Sequence, residues 1–210
     1  MRRHGKRLVR GVRPVLHIFC EGSKTEPNYI EHYKDLFCLG KSASIVVEKT
    51  DKTTPVQLVE EAVNLKNSSC SCRTDEFWVV YDRESPVKYD EKLHQKAREK
   101  ARKNGINIAL SNVCFEVWLL LHYQSTCAAC NTCDELIRRK DFKTYFPSYE
   151  KGSECRLSEA DIMTARKNAD SLNKRTINAS NENWKEPSMW NPYTDMYRLL
   201  DAIDAFIERV

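Results

Sequence analysis

Hydrophobic positions along the chain fall into two alternating kinds of segment. Short apolar runs occur at Leu16, Ile18 and Phe19, at Ser44–Glu48, at Glu76–Asp82 and at Ile106–Leu110. They are short enough, and bounded closely enough by polar turns, to read as strands. In the third run Phe77, Trp78, Val79, Val80 and Tyr81 are consecutive, as expected where helices cover both faces of a sheet. Between the runs, apolar residues recur at helical spacing: Tyr29, Ile30, Tyr33, Leu36 and Phe37 after the first strand, then Val56, Val59, Ala62 and Val63 after the second. Thr25 is placed to cap the first of these helices, and Thr54-Pro55 to start the second. A basic helix over 88–103 ends at Asn104-Gly105. The segment Phe115–Tyr123 is apolar on nearly every side, which predicts a central helix.

The order βαβαβαβα predicts an α/β fold. It has three layers around a mostly parallel sheet of about four strands, Toprim- or Rossmann-like, with right-handed crossovers. From Thr126 onward the pattern turns helical, with helices expected over Asp134–Lys140, Leu157–Leu172 and Pro192–Glu208. Asn173–Met189 reads as a long polar loop. These patterns divide the chain into a basic tail (1–13), an α/β core (14–125) and a helical extension packed on it (126–210).

Composition narrows the class. The 210 residues are 41% hydrophobic and 30% charged, which suits a soluble domain with a real core. No apolar run approaches the roughly 20 residues that span a bilayer, and the N-terminus lacks the apolar stretch of a secretory signal. Nine cysteines without such a signal point to a reduced, cytoplasmic protein. The net charge is +4, and its distribution says more than its size. Six Lys/Arg and no acid lie in residues 1–13, seven basic and three acidic side chains in 88–103, and Arg138, Arg139, Lys140 and Lys143 form a third basic group. Such patches suit a polyanion such as nucleic acid; solvated helix faces are the alternative for any one of them.

The candidate chemistry lies at the carboxyl ends of the predicted strands. Glu21 follows the first strand and precedes Gly22, a residue that lets the chain turn sharply. Asp82 and Glu84 flank Arg83 just past the third strand, and alternate residues of an extended segment point the same way. Glu116 is the one charge in an otherwise apolar helix, costly there unless paired, metal-bound or solvent-facing. Gathered carboxylates repel one another unless a cation or protons compensate. Mg²⁺ or Mn²⁺ takes oxygen ligands of this kind and suits phosphoryl transfer. Lys24 and Arg83 are candidates to meet a phosphate's charge, and Asn112 to bond substrate. A solvated turn lysine and a helix-capping asparagine are the alternatives for Lys24 and Asn112. Cys127, Cys130 and Cys133 have C-x₂-C-x₂-C spacing, with Cys155 and His122 as fourth-ligand candidates for a structural Zn²⁺. No second C-x₂-C module accompanies them, which favours free thiols. No Walker-type or G-x-G-x-x-G loop is present.

The stretches IFCEGSKTEPNYIEHY, VVYDRE, ALSNVCFEVWLLLHY and NPYTDMYRLL resemble the RloB-like (AbiL-type abortive infection) family of defence proteins, from about Val15 to Phe206. That family is similar in fold to Toprim domains. The resemblance implies that Glu21, followed by Gly22, is an acid/base or metal ligand. It further implies that Asp82 and Glu84 take the place of a Mg²⁺-binding D-x-D pair, with Glu84 departing from the usual Asp. Glu116 matches an acid of the C-F-E-x-W motif. An ABC-type ATPase partner supplied in trans is also implied. The resulting expectation is a metal-dependent nuclease, acting on RNA (transfer RNA included) or DNA in antiviral defence. The alternative is a catalytically inactive Toprim-like subunit that regulates the ATPase.

Overall fold

The computed structural model describes residues 13–38, 40–153 and 157–210. Four strands, β1 (Leu16–Cys20), β2 (Ile45–Glu48), β3 (Glu76–Asp82) and β4 (Asn107–Asn112), run parallel. They are connected by α1 (Thr25–Phe37), α2 (Pro55–Lys66) and α3 (Glu91–Asn104). The chain continues through α4 (Glu116–Leu120), α5 (Cys133–Arg138), α6 (Lys140–Tyr145) and α7 (Glu159–Ala179). A fifth strand, β5 (Tyr193–Thr194), pairs antiparallel with the end of β4, and α8 (Met196–Arg209) closes the chain. The sheet order is β2-β1-β3-β4-β5. This is the mostly parallel, Rossmann-like α/β architecture that the apolar runs predict, with one more strand. The basic tail expected over 1–13 lies outside the described residues, apart from Arg13.

The pleat of the strands splits the core in two. Leu16, Ile18 and Cys20 of β1, with Trp78 and Val80 of β3, pack with side chains of α1, α4, α7 and α8. Phe19, Phe77, Val79 and Tyr81 point the other way, against Leu58, Val59 and Ala62 of α2 and Ala97 and Ala101 of α3. Each large side chain buried in this way contributes about 1.5–3 kcal/mol. Between the sheet and α7 lies α4, whose Val117, Trp118, Leu119 and Leu120 are all buried. A helix without a polar face is stable only inside the molecule, so α4 carries Glu116 inside with it.

Local chemistry sets the element ends. The Thr54 hydroxyl accepts from the Gln57 N–H to cap α2, and Asp90 accepts from Leu93 N–H at 2.8 Å to cap α3. Gly105, at φ +61°, ends α3 in the left-handed conformation that glycine adopts without penalty. Thr25 does not cap α1; its hydroxyl instead accepts from the Gly152 N–H at 2.9 Å.

Four segments differ from the sequence pattern. The helix expected over Phe115–Tyr123 is confined to Glu116–Leu120, and the one expected over Asp134–Lys140 breaks at the extended Arg139 into α5 and α6. The polar stretch after Leu172 is no loop until Ser180, because α7 runs unbroken to Ala179. The buried Asn173 keeps it docked, its side-chain amide donating to Thr194 O at 2.8 Å and accepting from Thr194 N–H at 3.2 Å. The final helix begins at Met196 rather than Pro192, since Tyr193 and Thr194 are drawn into the sheet beside Asn112 and Ser111.

Candidate functional site

The parallel pairing of β1 with β3, Cys20 opposite Val80, delivers Glu21 and Asp82 to the same sheet edge. Glu21 is fixed there at three points. Its N–H donates to Val80 O at 2.9 Å, Oε2 accepts from the Asp82 N–H at 3.1 Å, and Oε1 accepts from the Tyr89 hydroxyl at 3.0 Å. Asp82 shares the pleat direction of Trp78 and Val80, so it faces the α1/α4 side. Its carboxylate receives no hydrogen bond from any described residue. Two residues on, Glu84 has φ +56°, a conformation rarely adopted by residues other than glycine and one that is held by its surroundings. Glu84 Oε1 accepts from Lys88 Nζ at 2.7 Å. The start of α4 brings Glu116 to the same place. Glu21, Asp82, Glu84 and Glu116 line one pocket of about 380 Å³, with Lys24 at its wall.

The pocket holds further residues that the sequence reading passed over. Glu26 sits in the first turn of α1, where an acid is ordinary, yet it is only 6% exposed and lines the pocket. Gly22 makes room for it: a Cβ at Gly22 would lie 1.9 Å from Glu26 Oε2. The glycine is thus needed for the carboxylate's close approach. Lys151 arrives from the loop before α7, which docks on α1 through the Gly152–Thr25 hydrogen bond and through Asn28 Nδ2 donating to Gly152 O at 3.2 Å.

Five carboxylates in so small a space disturb one another. Burial raises the Asp82 pKa well above the usual carboxylate range, with Glu26, Glu116 and Glu21 adding to it. Burial foremost, then Glu116 and Glu21, push Glu26 up to about 7. Burial raises Glu21 too, against the opposing bonds from the Asp82 N–H and the Tyr89 hydroxyl. Lys151 is moved in the complementary sense. Desolvation works to lower its pKa, but the negative neighbours, led by Glu116, raise it. The site is therefore short of positive charge, and its donors are hard oxygens of the kind that Mg²⁺ and Mn²⁺ take.

Two predicted substrate ligands point elsewhere. Arg83 alternates with Asp82 and Glu84 and so faces away from them. Its Nε donates to Ser188 O at 2.9 Å and its Nη1 to Tyr89 O at 2.7 Å. Asn112 Nδ2 donates to the same Ser188 carbonyl at 3.1 Å and caps no helix. Both are buried and fasten the loop before β5 to the sheet edge, where they do not line the pocket. The basic patches are also partly spent internally. Arg98 pairs with Glu91 at 2.8 Å and Glu186 at 3.0 Å, and Arg139 with Asp141 at 2.6 Å.

The C-x₂-C-x₂-C cysteines do not come together as a ligand set among the described residues. Cys127 and Cys130 turn their thiols toward Ala128 O, and Arg139 Nη1 lies 3.2 Å from Cys130 Sγ. His122 is engaged with the Tyr29 hydroxyl at 3.0 Å and with the carbonyls of Trp118 and Leu119. Cys155 lies outside the described residues. Cys133 instead joins Cys114 and Glu116. These three buried residues are the group, among those described, whose ligand atoms all fall within 4.8 Å of one another, and they can hold a metal ion. Glu21, Asp82 and Glu84 share the pocket without meeting at that spacing.

No helix among the described residues is long and apolar enough to cross a membrane. A family model described as RloB-like protein matches residues 16–203. No curated protein and no solved structure matches.

Proposed function

The chain belongs to the RloB-like family, and on that premise we propose that it is a Mg²⁺-dependent nuclease of antiphage defence. In this reading it hydrolyses phosphodiester bonds of RNA or DNA and works with an ABC-type ATPase subunit. The observation that carries the reading is the gathering of Glu21, Glu26, Asp82, Glu84 and Glu116 at the carboxyl edge of the sheet, where open α/β folds hold their ligands. Asp82, Glu84 and Glu26 would hold Mg²⁺ or Mn²⁺, with Glu21 as a further ligand or the group that moves a proton. Mg²⁺ keeps several waters, so carboxylates spread wider than one tight coordination sphere suit it. A bound divalent ion would supply positive charge to the phosphate's oxygens. Lys24 and Lys151 at the pocket wall would meet the remaining phosphate charge, and Glu116 would orient water.

The test is cleavage of single- and double-stranded DNA, messenger RNA and transfer RNA by the chain, alone and with its ATPase partner, in Mg²⁺, Mn²⁺ or chelator. Metal-dependent cleavage lost in Asp82→Asn is the expected result. Intact substrates throughout, together with Mn²⁺ affinity unchanged by Asp82→Asn, would overturn the proposal.

A second reading, a non-catalytic subunit regulating the ATPase, is favoured by three contacts. Both Glu21 oxygens are occupied by the Asp82 N–H and the Tyr89 hydroxyl, and Glu84 is paired with Lys88. Glu21→Gln separates the two readings. A regulatory subunit keeps the complex's function in that variant, whereas a nuclease loses cleavage while the complex still assembles.

A further inference from the structure

The geometry points to a second metal site of different chemical character, in which Cys114, Glu116 and Cys133 bind a thiophilic divalent cation of the zinc class. Two thiols and a carboxylate are a soft-leaning donor set, unlike the all-oxygen acids beside them. Zinc takes sulfur, nitrogen and oxygen ligands tetrahedrally, often from three residues with the fourth position left open. Here the three ligand atoms lie within 4.8 Å of one another, close to the spacing of ligands about a single ion. Cys133 Sγ donates to Glu116 Oε2 at 3.0 Å. A metal would take the place of that thiol proton, releasing it to solvent, with the second thiol proton leaving likewise.

The surroundings fit the role. The Tyr149 hydroxyl donates to Glu116 Oε1 at 3.0 Å, which orients the carboxylate and leaves Oε2 toward the thiols, as supporting residues do around metal ligands. Two thiolates and a carboxylate carry three negative charges; a divalent ion leaves one, and Lys151 is the nearby cation that offsets it. Glu116 also lines the acid pocket, and Asp82, buried there, has no hydrogen-bond donor among the described residues. This inference stands on donor geometry, and its test reads metal binding rather than cleavage.

The test uses the full chain, kept reduced and stripped of metal, titrated with Co²⁺ as a spectroscopic probe. Tetrahedral d–d bands and thiolate-to-cobalt charge transfer are expected in the wild type. Cys114→Ser and Cys133→Ser should each lower Co²⁺ affinity by more than about 100-fold, beyond what loss of a supporting residue produces. Cys127→Ser should leave the spectrum unchanged. Because a core variant can misfold, X-ray absorption on the Zn²⁺-loaded wild type supplies an independent count, two sulfur neighbours with the rest oxygen. An absent charge-transfer band would overturn the assignment. So would four sulfur neighbours, or a Cys114–Cys133 disulfide in place of free thiols.

Discussion

The two ends of β3 each carry a poorly exposed aspartate, and the fold treats them in opposite ways. At the amino end, Asp75 accepts from the Val15 N–H at 2.9 Å, the Cys72 N–H at 2.6 Å and the Ser71 hydroxyl at 3.2 Å, with His17 Nε2 at 3.6 Å. Burial alone would raise its pKa, but these donors outweigh it and hold the carboxyl below the usual range. At the carboxyl end, Asp82 has no side-chain donor among the described residues and three acids for neighbours, and its pKa rises. A carboxylate satisfied by the backbone holds a turn together. One left unsatisfied among other acids costs stability and is expected to be useful for something else. The same residue type thus separates architecture from chemistry within one strand.

Exchanging the two roles is the strongest way to break this contrast. Asp82→Asn is expected to lower metal-dependent cleavage by about three orders of magnitude, equivalent to about 4 kcal/mol, while leaving the thermal midpoint unchanged or higher. A fall in stability with activity intact would make Asp82 structural after all.

The next effect is in pH. Glu26, raised to about 7, binds its proton more tightly folded than unfolded. Its stabilising contribution is therefore present below about 4.5 and lost as pH climbs through about 7. Above that pH, Glu26→Gln should be more stable than the metal-free wild type by as much as about 3 kcal/mol, with the gap closing near pH 4.5 or on adding Mg²⁺. The comparison must be between variants. His94 and His122, both lowered by burial to about 4, lose stability in the opposite direction as pH falls, and only a difference cancels them. Denaturant midpoints from pH 4.5 to 8 read it out; a gap constant across that range would sink the prediction.

Asp75→Ala should cost about 2 kcal/mol by leaving backbone donors unpaired, measured by urea unfolding at neutral pH, with normal activity in the folded fraction. The carboxylate's own contribution has the reverse sign from that of Glu26. It is present at neutral pH and lost only as pH falls below the ordinary aspartate range. Smallest is Lys151→Ala, expected to reduce the salt slope of nucleic-acid binding by about one with little change in stability. An unchanged slope would remove Lys151 from the substrate path.

Much of this was legible in the chain. The continuous apolar run of β3 fixed a doubly covered central strand, and the strand ends then placed Glu21, Asp82 and Glu84 at one edge. Alternation also contained the answer for Arg83, which must face opposite to its two acidic neighbours. Glu26 was hidden because an acid in a helix's first turn is commonplace; the faint signal was a glycine four residues earlier whose missing side chain accommodates it. The Cys114–Glu116–Cys133 grouping was not legible. Regular C-x₂-C-x₂-C spacing drew attention to Cys127 and Cys130, while the real neighbour of Cys133 lies on the segment between β4 and α4. Asn173 misled for a related reason, since a polar side chain that is buried and bonded to the backbone of Thr194 looks in sequence like the start of a loop.

That asparagine has a consequence for assembly. Open sheets invite strand addition at their margins, by another copy or by a foreign peptide. At the β5 margin, the Thr194 N–H and C=O are both consumed by the Asn173 amide, so a side chain stands where a sixth strand would dock. Strand addition is closed off at β5. A subunit that associates with this protein at β5 would bind there through side-chain surfaces rather than by lengthening the sheet.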